Sequence, residues 1–387
     1  MQQDCFFNAR QNAQDSSQMA PDDSANVGWC RLIRDRRWST AQKQQLIRHF
    51  KNPEIVLAAS EVQARTIISG RQRSSTSKVE KSMLDADLHW LAQESHYLIP
   101  ISDPRYPDIL RQLPDPPLAL FAIGDISLLK EPQVAIVGSR RPTPIGDKIA
   151  RSISHELATL GVVVTSGMAL GIDGIAHQAA LGAGGSSIAV LGNGLDTIYP
   201  SRHKAMFEQL SAQGLLVSEY PLGVKPARHT FPQRNRIVSG LSYGVIIIEA
   251  AERSGTLITA RLAMEQNREV MVVPGSALSS QYRGSHDLIK QGAALVSSSD
   301  DVLHCLSEQL SRFLQADTIN DGSQLKPIEG LALESPLLQY ISAESTSVDD
   351  IILSSQLTSA EVSSMLLELE LIGAVAITND GGYVNLS

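Results

Sequence analysis

From about residue 95 to residue 300 the chain alternates short apolar runs with amphipathic stretches of ten or more residues. The runs are Val134–Val137, Val162–Thr165, Ser187–Leu191, Leu215–Ser218, Gly244–Ile248 and Glu269–Val273. β-rich runs separated by helical stretches specify a parallel sheet with crossover helices, so this region is predicted to be a Rossmann-like α/β domain over 95–315. Several runs end in glycine or a small polar residue, where ligands of such sheets bind. Upstream, Leu46, Ile47, Phe50, Ile55, Val56 and Leu57 fall at helical spacing and predict a small helical module over 27–69. Polar residues predict a disordered leader over 1–26 and a linker over 70–94.

After linker-like residues 316–330 the pattern changes again. Pro336–Ile341, Val348–Ser354 and Ser359–Leu371 read as helices, and Ala374–Thr378 and Tyr383–Leu386 as strands joined through Asn379-Asp380-Gly381-Gly382. This predicts a winged-helix-like domain over 331–387. Its third helix carries Glu361, Glu368 and Glu370 and no Lys or Arg, which favours a structural or protein-contact role over a grip on duplex phosphates.

Length and composition add limits. The chain has 387 residues, 43% of them hydrophobic, enough for one large core and one or two small domains. Cys5, Cys30 and Cys305 lie far apart without a CxxC pair, which argues against a disulfide framework or zinc knuckle and for a reducing compartment. No apolar run approaches a membrane span, so a cytoplasmic location without membrane contact is expected. The net charge of −8 would by itself argue against a nucleic-acid partner. Its distribution reverses the argument: Val134–Gly240 holds ten basic against six acidic residues, whereas thirteen acids after residue 300 face only Arg312 and Lys326.

Four segments carry candidate chemistry. Gly138-Ser139-Arg140 ends the first strand without the GxGxxG of dinucleotide enzymes; the glycine admits close backbone approach and Arg140 offers a fork of donors. Ser166–Gly174, with Gly167, is a possible phosphate nest. Asp173 and His177 on the next helix suggest acid–base or metal chemistry only weakly, because no third ligand stands nearby. Lys225–Arg236 sets Arg228, Arg234 and Asn235 around Phe231 in a proline-marked stretch, where cations can follow a backbone while an aromatic face stacks on a base. Ser254-Gly255-Thr256 would open a helix, whose amino end favours an anion. All four converge on one sheet edge in this topology, which suggests a polyanion rather than a single cofactor.

The motifs VAIVGSR (134–140), SGMALGIDGIAH (166–177), AVLGNGLDTIYP (189–200), FPQRNRIVSGLS (231–242), IEAAERSGTLITARLA (248–263), VVPGS (272–276) and RGSHDLIKQGA (283–293) together resemble the DNA-processing A (DprA/Smf) family. That resemblance implies a cofactor-free, non-enzymatic homodimer that binds single-stranded DNA, protects incoming strands in natural transformation and helps load the RecA recombinase. Carried over residue by residue, it implies DNA contacts at Arg140, the Gly167 loop, Arg228 and Phe231, with Arg234 and Asn235 shaping the pocket. The N-terminal module resembles the family's SAM-like region, but Arg36-Arg37-Trp38-Ser39-Thr40 stands where a DNA-binding hairpin would show glycines.

Two other functions compete. A nucleotide phosphoribohydrolase shares the Rossmann-like layout and a PGGxGTxxE loop, yet Glu252–Thr259 lacks the first two glycines and the trailing glutamate. A duplex-binding regulator acting through the C-terminal domain is disfavoured by its acidic third helix.

Overall fold

The computed structural model describes residues 23–68, 79–310, 337–342, 346–355, 357–371, 375–377 and 382–385. Most of the expected leader, the linker over 316–330 and most of the Asn379–Gly382 turn lie outside the described residues. The chain divides into two units, 1–313 and 314–387.

The first unit is built on a nine-stranded sheet of order β1-β2-β6-β5-β4-β3-β7-β8-β9. Its strands are β1 (His96–Pro100), β2 (Ala119–Gly124), β3 (Gln133–Gly138), β4 (Val163–Ser166), β5 (Ser187–Val190), β6 (Leu215–Ser218), β7 (Gly244–Ile248), β8 (Glu269–Val272) and β9 (Ala294–Leu295). From β6 across to β9 every pairing is parallel. The six strands predicted from the apolar runs are present; β1 and β2, which add an antiparallel border next to β6, extend the sheet beyond them.

The central strands are apolar at successive positions because both faces are covered. Val134 and Ile136 of β3 face one layer, with Ile153 and Leu157 of α7 (Pro144–Thr159) and Ile172, Ala176 and Ala180 of α8 (Ile172–Gly182). Ala135 and Val137, one residue out of phase, face the other layer, with Ile237 and Val238 of α10 (Thr230–Gly240) and Ala260 and Ala263 of α11 (Thr256–Glu265). Helices α1 (Asp23–Arg34), α2 (Thr40–Phe50), α3 (Pro53–Ala58), α4 (Glu61–Arg65) and α5 (Lys81–Leu91) precede β1, α6 (Asp108–Arg111) lies between β1 and β2, and α9 (Lys204–Gln213) precedes β6. Helices α12 (Arg283–Lys290) and α13 (Ser299–Cys305) complete the unit.

Two expectations change here. Residues 81–91, placed in a linker, form α5, whose Asp87 is fully buried and takes a two-pronged ion pair from Arg34 of α1, with N···O distances of 2.5 and 2.7 Å. The helical module is also not separate from the sheet: Trp29, Leu32, Trp38 and Leu46 share one apolar cluster with Phe121 of β2 and Leu216 of β6. A sheet border left apolar by β2 needs such a cover, and the module supplies it.

The chain leaves β3 for β4 on one side and returns after β6 to β7 on the other. That reversal puts a crevice at the carboxyl ends of β3 and β7.

In the second unit, α14 (Val348–Ser355), α15 (Ser359–Leu371) and the hairpin of β10 (Val375–Ile377) and β11 (Tyr383–Asn385) follow the predicted order. Leu337, Ile351, Val362, Leu366 and Val375 form its core. The helix expected over Pro336–Ile341 is only a 3₁₀ turn at Leu338–Tyr340.

Candidate nucleic-acid interface

The crevice at the reversal is a cleft of about 680 Å³, and every candidate residue lines it: Gly138, Ser139, Arg140, Gly167, Arg228, Phe231, Arg234, Asn235, Ser254 and Gly255. What each contributes differs from one wall to the next.

At the end of β3, a side chain on Gly138 would overlap the Ile248 carbonyl, so glycine is what lets β3 and β7 close at their tips. The Ser139 amide donates to that carbonyl at 3.2 Å, and the Ser139 carbonyl accepts from the Ile172 amide at 3.1 Å. This fixes the backbone under Arg140, whose exposed guanidinium has no hydrogen-bond or ion-pair partner among the described residues. Arg228, and Arg253 just before α11, are likewise exposed and unpaired among the described residues. Three free guanidinium groups therefore border one cleft.

The Gly167 loop is built differently from the expected anion nest. Its Gly167 and Ala169 amides donate, at 3.2 and 3.4 Å, to the buried carboxylate of Asp173. The protein's own side chain occupies the position a phosphate would take. Burial pushes the Asp173 carboxyl up, while the nearby Arg234 charge and the two amides pull it down. Arg234 is itself buried, donates to the Val190 carbonyl and leaves its Nε without a partner. Burial lowers it to about 10, opposed by Asp173, so it stays cationic at neutral pH. Gly167 is thus the wall over Arg234, and Arg234 supports the loop from beneath.

His177 does not join Asp173. Its Nδ1 lies 2.7 Å from Ser187 Oγ, whose hydroxyl donates to the Val164 carbonyl at 2.6 Å. The hydroxyl hydrogen being used, Nδ1 carries the proton and Nε2 is left as a buried, unpartnered acceptor. Burial first, then the charges of His203 and Arg234, lower His177 to about 3. No group of residues that could hold a metal ion occurs among the described residues.

On the opposite wall, Phe231 opens α10 and is half-buried, leaning on Gly192. Its ring centroid lies 5.5 Å from that of Tyr199, with the planes inclined by 34°. Tyr199 is 46% exposed, so one edge of this aromatic pair is open. Asn235 follows Phe231 by one helical turn on the same wall. Tyr199 and Arg253 were not singled out by the sequence patterns, although both lie within the quoted motifs; Tyr199 falls at the end of AVLGNGLDTIYP, on the edge where the other loops meet.

The amino end of α11 closes the cleft. Thr256 Oγ1 donates to the Gly138 carbonyl at 3.1 Å, and Ser254 Oγ accepts from the Thr256 amide at 3.2 Å. The first turn of α11 holds no acidic residue. The other carboxylate in the cleft, Glu249, sits at φ 58° and accepts from the Thr143 amide at 2.9 and 3.1 Å, the Thr143 hydroxyl and the Tyr282 hydroxyl at 2.9 Å. It holds the amino end of α7. Both acids lining the cleft, Asp173 and Glu249, accept hydrogen bonds from internal donors.

Comparison with known proteins agrees with this architecture. The sequence profile of the family described as "DNA recombination-mediator protein A" matches residues 97–307, and that of the "DprA winged helix domain" matches residues 325–381. The chain is 44% identical to Protein Smf of Escherichia coli over 324 residues, 83% of this chain and 86% of that one. It is 45% identical to the DNA processing protein DprA of Streptococcus pneumoniae over 207 residues, 52% of this chain and 72% of that one. The X-ray structure of the pneumococcal protein superposes with a TM-score of 0.58 at 33% identity, covering 74% of this chain and 98% of that one. With a Rossmann-like core, a C-terminal winged-helix unit and these matches, the chain belongs to the DprA/Smf family.

Proposed function

We propose that this protein binds single-stranded DNA in the cleft, protects incoming strands and helps load RecA onto them during natural transformation, acting as a cytoplasmic homodimer without catalysing a reaction. The observation that carries this reading is the pairing of three unneutralised guanidinium groups, Arg140, Arg228 and Arg253, with the open edge of the Phe231–Tyr199 ring pair. Cations without internal partners are available to backbone phosphates, and an exposed aromatic face stacks on any base. Gly255, where a side chain would project into open space, keeps that part of the cleft low enough for a backbone to approach, Ser254 stands beside it, Gly138 and Gly167 let the walls close, and Asn235 offers an amide beside the rings. Membership of a family described as a DNA recombination mediator supports the recombinase partner.

The test is a titration of the purified protein with fluorescent oligo-dT and a matching duplex at several salt concentrations. Strand-selective, salt-sensitive binding is expected; equal affinity for duplex would overturn the reading. Sedimentation of the free protein checks the dimer. RecA filament formation on strands already coated with a single-strand-binding protein checks the loading step.

A further inference from the structure

Two walls of the cleft are joined from outside by a side chain that lines neither of them. His203 ends a 3₁₀ turn, Ser201–His203, that follows shortly after Tyr199, and α9 starts at the next residue. It stands at the amino end of that helix, yet its imidazole makes no capping bond there. Instead its Nδ1 donates to the Met168 carbonyl at 3.1 Å, a residue of the Gly167 loop.

The surroundings are shaped for this contact. Met168 is fully buried and sits at φ 57°, a left-handed conformation that a residue with a side chain keeps only where its neighbours hold it. The Asp173 carboxylate holds the amides before and after it, at Gly167 and Ala169, and His203 holds its carbonyl. The imidazole reaches that carbonyl over Gly174 of α8, where a Cβ would come within 2.8 Å of the ring. Among the described residues, no other hydrogen bond ties residues 198–203 to a distant part of the chain.

We propose that His203 is a positioning residue of the strand site: it clamps the segment carrying Tyr199 to the Gly167 loop and so fixes the Tyr199 ring relative to Arg140. The inference rests on the cleft being where a strand binds. A stacked base and its neighbouring phosphates belong to one chain, so ring and guanidinium grip the same strand only at a set separation. The Gly167 loop supplies the frame. Its end, Gly171, passes so close to the backbone of Ser139 and Arg140 that a side chain there would overlap the Ser139 carbonyl, and the Ile172 amide donates to that same carbonyl. The space between the Gly167–Leu170 stretch and the Tyr199–Phe231 pair is only about 60 Å³, against about 680 Å³ for the cleft, so loop and rings stand close together. Without the clamp, Tyr199 keeps its ring contact with Phe231 and the packing of Ile198, and the segment would have to be ordered at binding, which lowers affinity.

The experiment is titration of the full chain with fluorescent oligo-dT at several salt concentrations, for wild type, His203→Leu, His203→Asn, Gly174→Ala and Tyr199→Ala, with urea denaturation of each. His203→Leu removes the donor and keeps an apolar side chain of similar size. It should weaken binding several-fold, up to the roughly tenfold loss expected when one stacking contact goes, with the salt dependence unchanged. His203→Asn keeps an N–H at the same branch of the side chain and should bind within about twofold of wild type. Gly174→Ala presses a methyl against the imidazole and should reproduce the defect of His203→Leu, although alanine favours the helix. Because His203 acts through Tyr199, His203→Leu combined with Tyr199→Ala should bind no worse than Tyr199→Ala alone. Should His203→Leu lose its cooperative urea transition, the same combination built on Gly174→Ala decides. Wild-type affinity in both His203→Leu and Gly174→Ala, or independent effects in the combined variant, would overturn the proposal. A smaller salt slope in His203→Leu and His203→Asn alike would also overturn it, by making the imidazole a phosphate contact. Failure of wild type itself to bind oligo-dT would instead remove the strand site, and the clamp's role with it.

Discussion

Gly167 lies directly over the guanidinium of Arg234, so close that a single methyl on the glycine would overlap it. Arg234 cannot easily move aside, because it is buried and bonded to the Val190 carbonyl. Gly167→Ala should therefore displace Arg234 and loosen the loop that Asp173 holds by its amides. We expect unfolding free energy to fall by about 1–3 kcal/mol, typical of overpacking, together with weaker strand binding. Urea denaturation checks the first effect; unchanged stability would show that the loop absorbs the methyl.

The Phe231–Tyr199 pair predicts a coupled stacking surface. Phe231→Ala and Tyr199→Ala should each weaken oligo-dT binding by roughly 1–3 kcal/mol while leaving the salt dependence intact, because stacking releases no counterions. The rings touch in the free protein, so the double variant should be impaired by less than the two single effects combined. Additive effects would mean that each ring meets its base independently.

For Arg140 and Arg228 the opposite signature is expected. Each is exposed and unpaired among the described residues, and replacing either with alanine should lower affinity about equally for all single-stranded sequences. The slope of log affinity against log salt should shrink by about 0.7 for every phosphate that the variant leaves unneutralised. A defect confined to particular sequences would assign the arginine to base edges instead.

How far the sequence revealed the molecule depends on what each feature needs. β3 and β7 were legible because both faces are covered and their runs are apolar throughout. The border strand β1 was not, because its five residues lie among turn-forming residues and its partner β2 runs antiparallel to β6. Helix α5 did carry a helical signal, Leu84, Leu88 and Leu91 at i, i+4 and i+7, masked by the polar stretch before it. In the cleft, glycines and arginines announced themselves locally. The inward turn of the Gly167 and Ala169 amides onto Asp173 is a tertiary arrangement that spacing does not encode, and the packing of Tyr199 on Phe231 joins residues 32 positions apart.

His177 predicts that stability declines on the acid side. The unfolded chain takes up a proton on this imidazole near pH 6.5, whereas the folded chain takes it up only near pH 3. Between those values the unfolded state binds more protons, so stability from this group is present at neutral pH and is lost as the pH falls from 6.5 toward 3. The contribution that disappears between pH 7 and pH 4 should be about 3 kcal/mol. Asp173, pushed up by burial, acts in the opposite sense above its unfolded value, so the total curve mixes the two. The difference between wild type and His177→Gln isolates the histidine, since glutamine removes the titration and retains an N–H for Ser187 Oγ. Between pH 7 and pH 4 the unfolding free energy of wild type should fall by about 3 kcal/mol more than that of the variant. Parallel curves would mean that the imidazole is protonated in the folded state and that its Nε2 has found an acceptor.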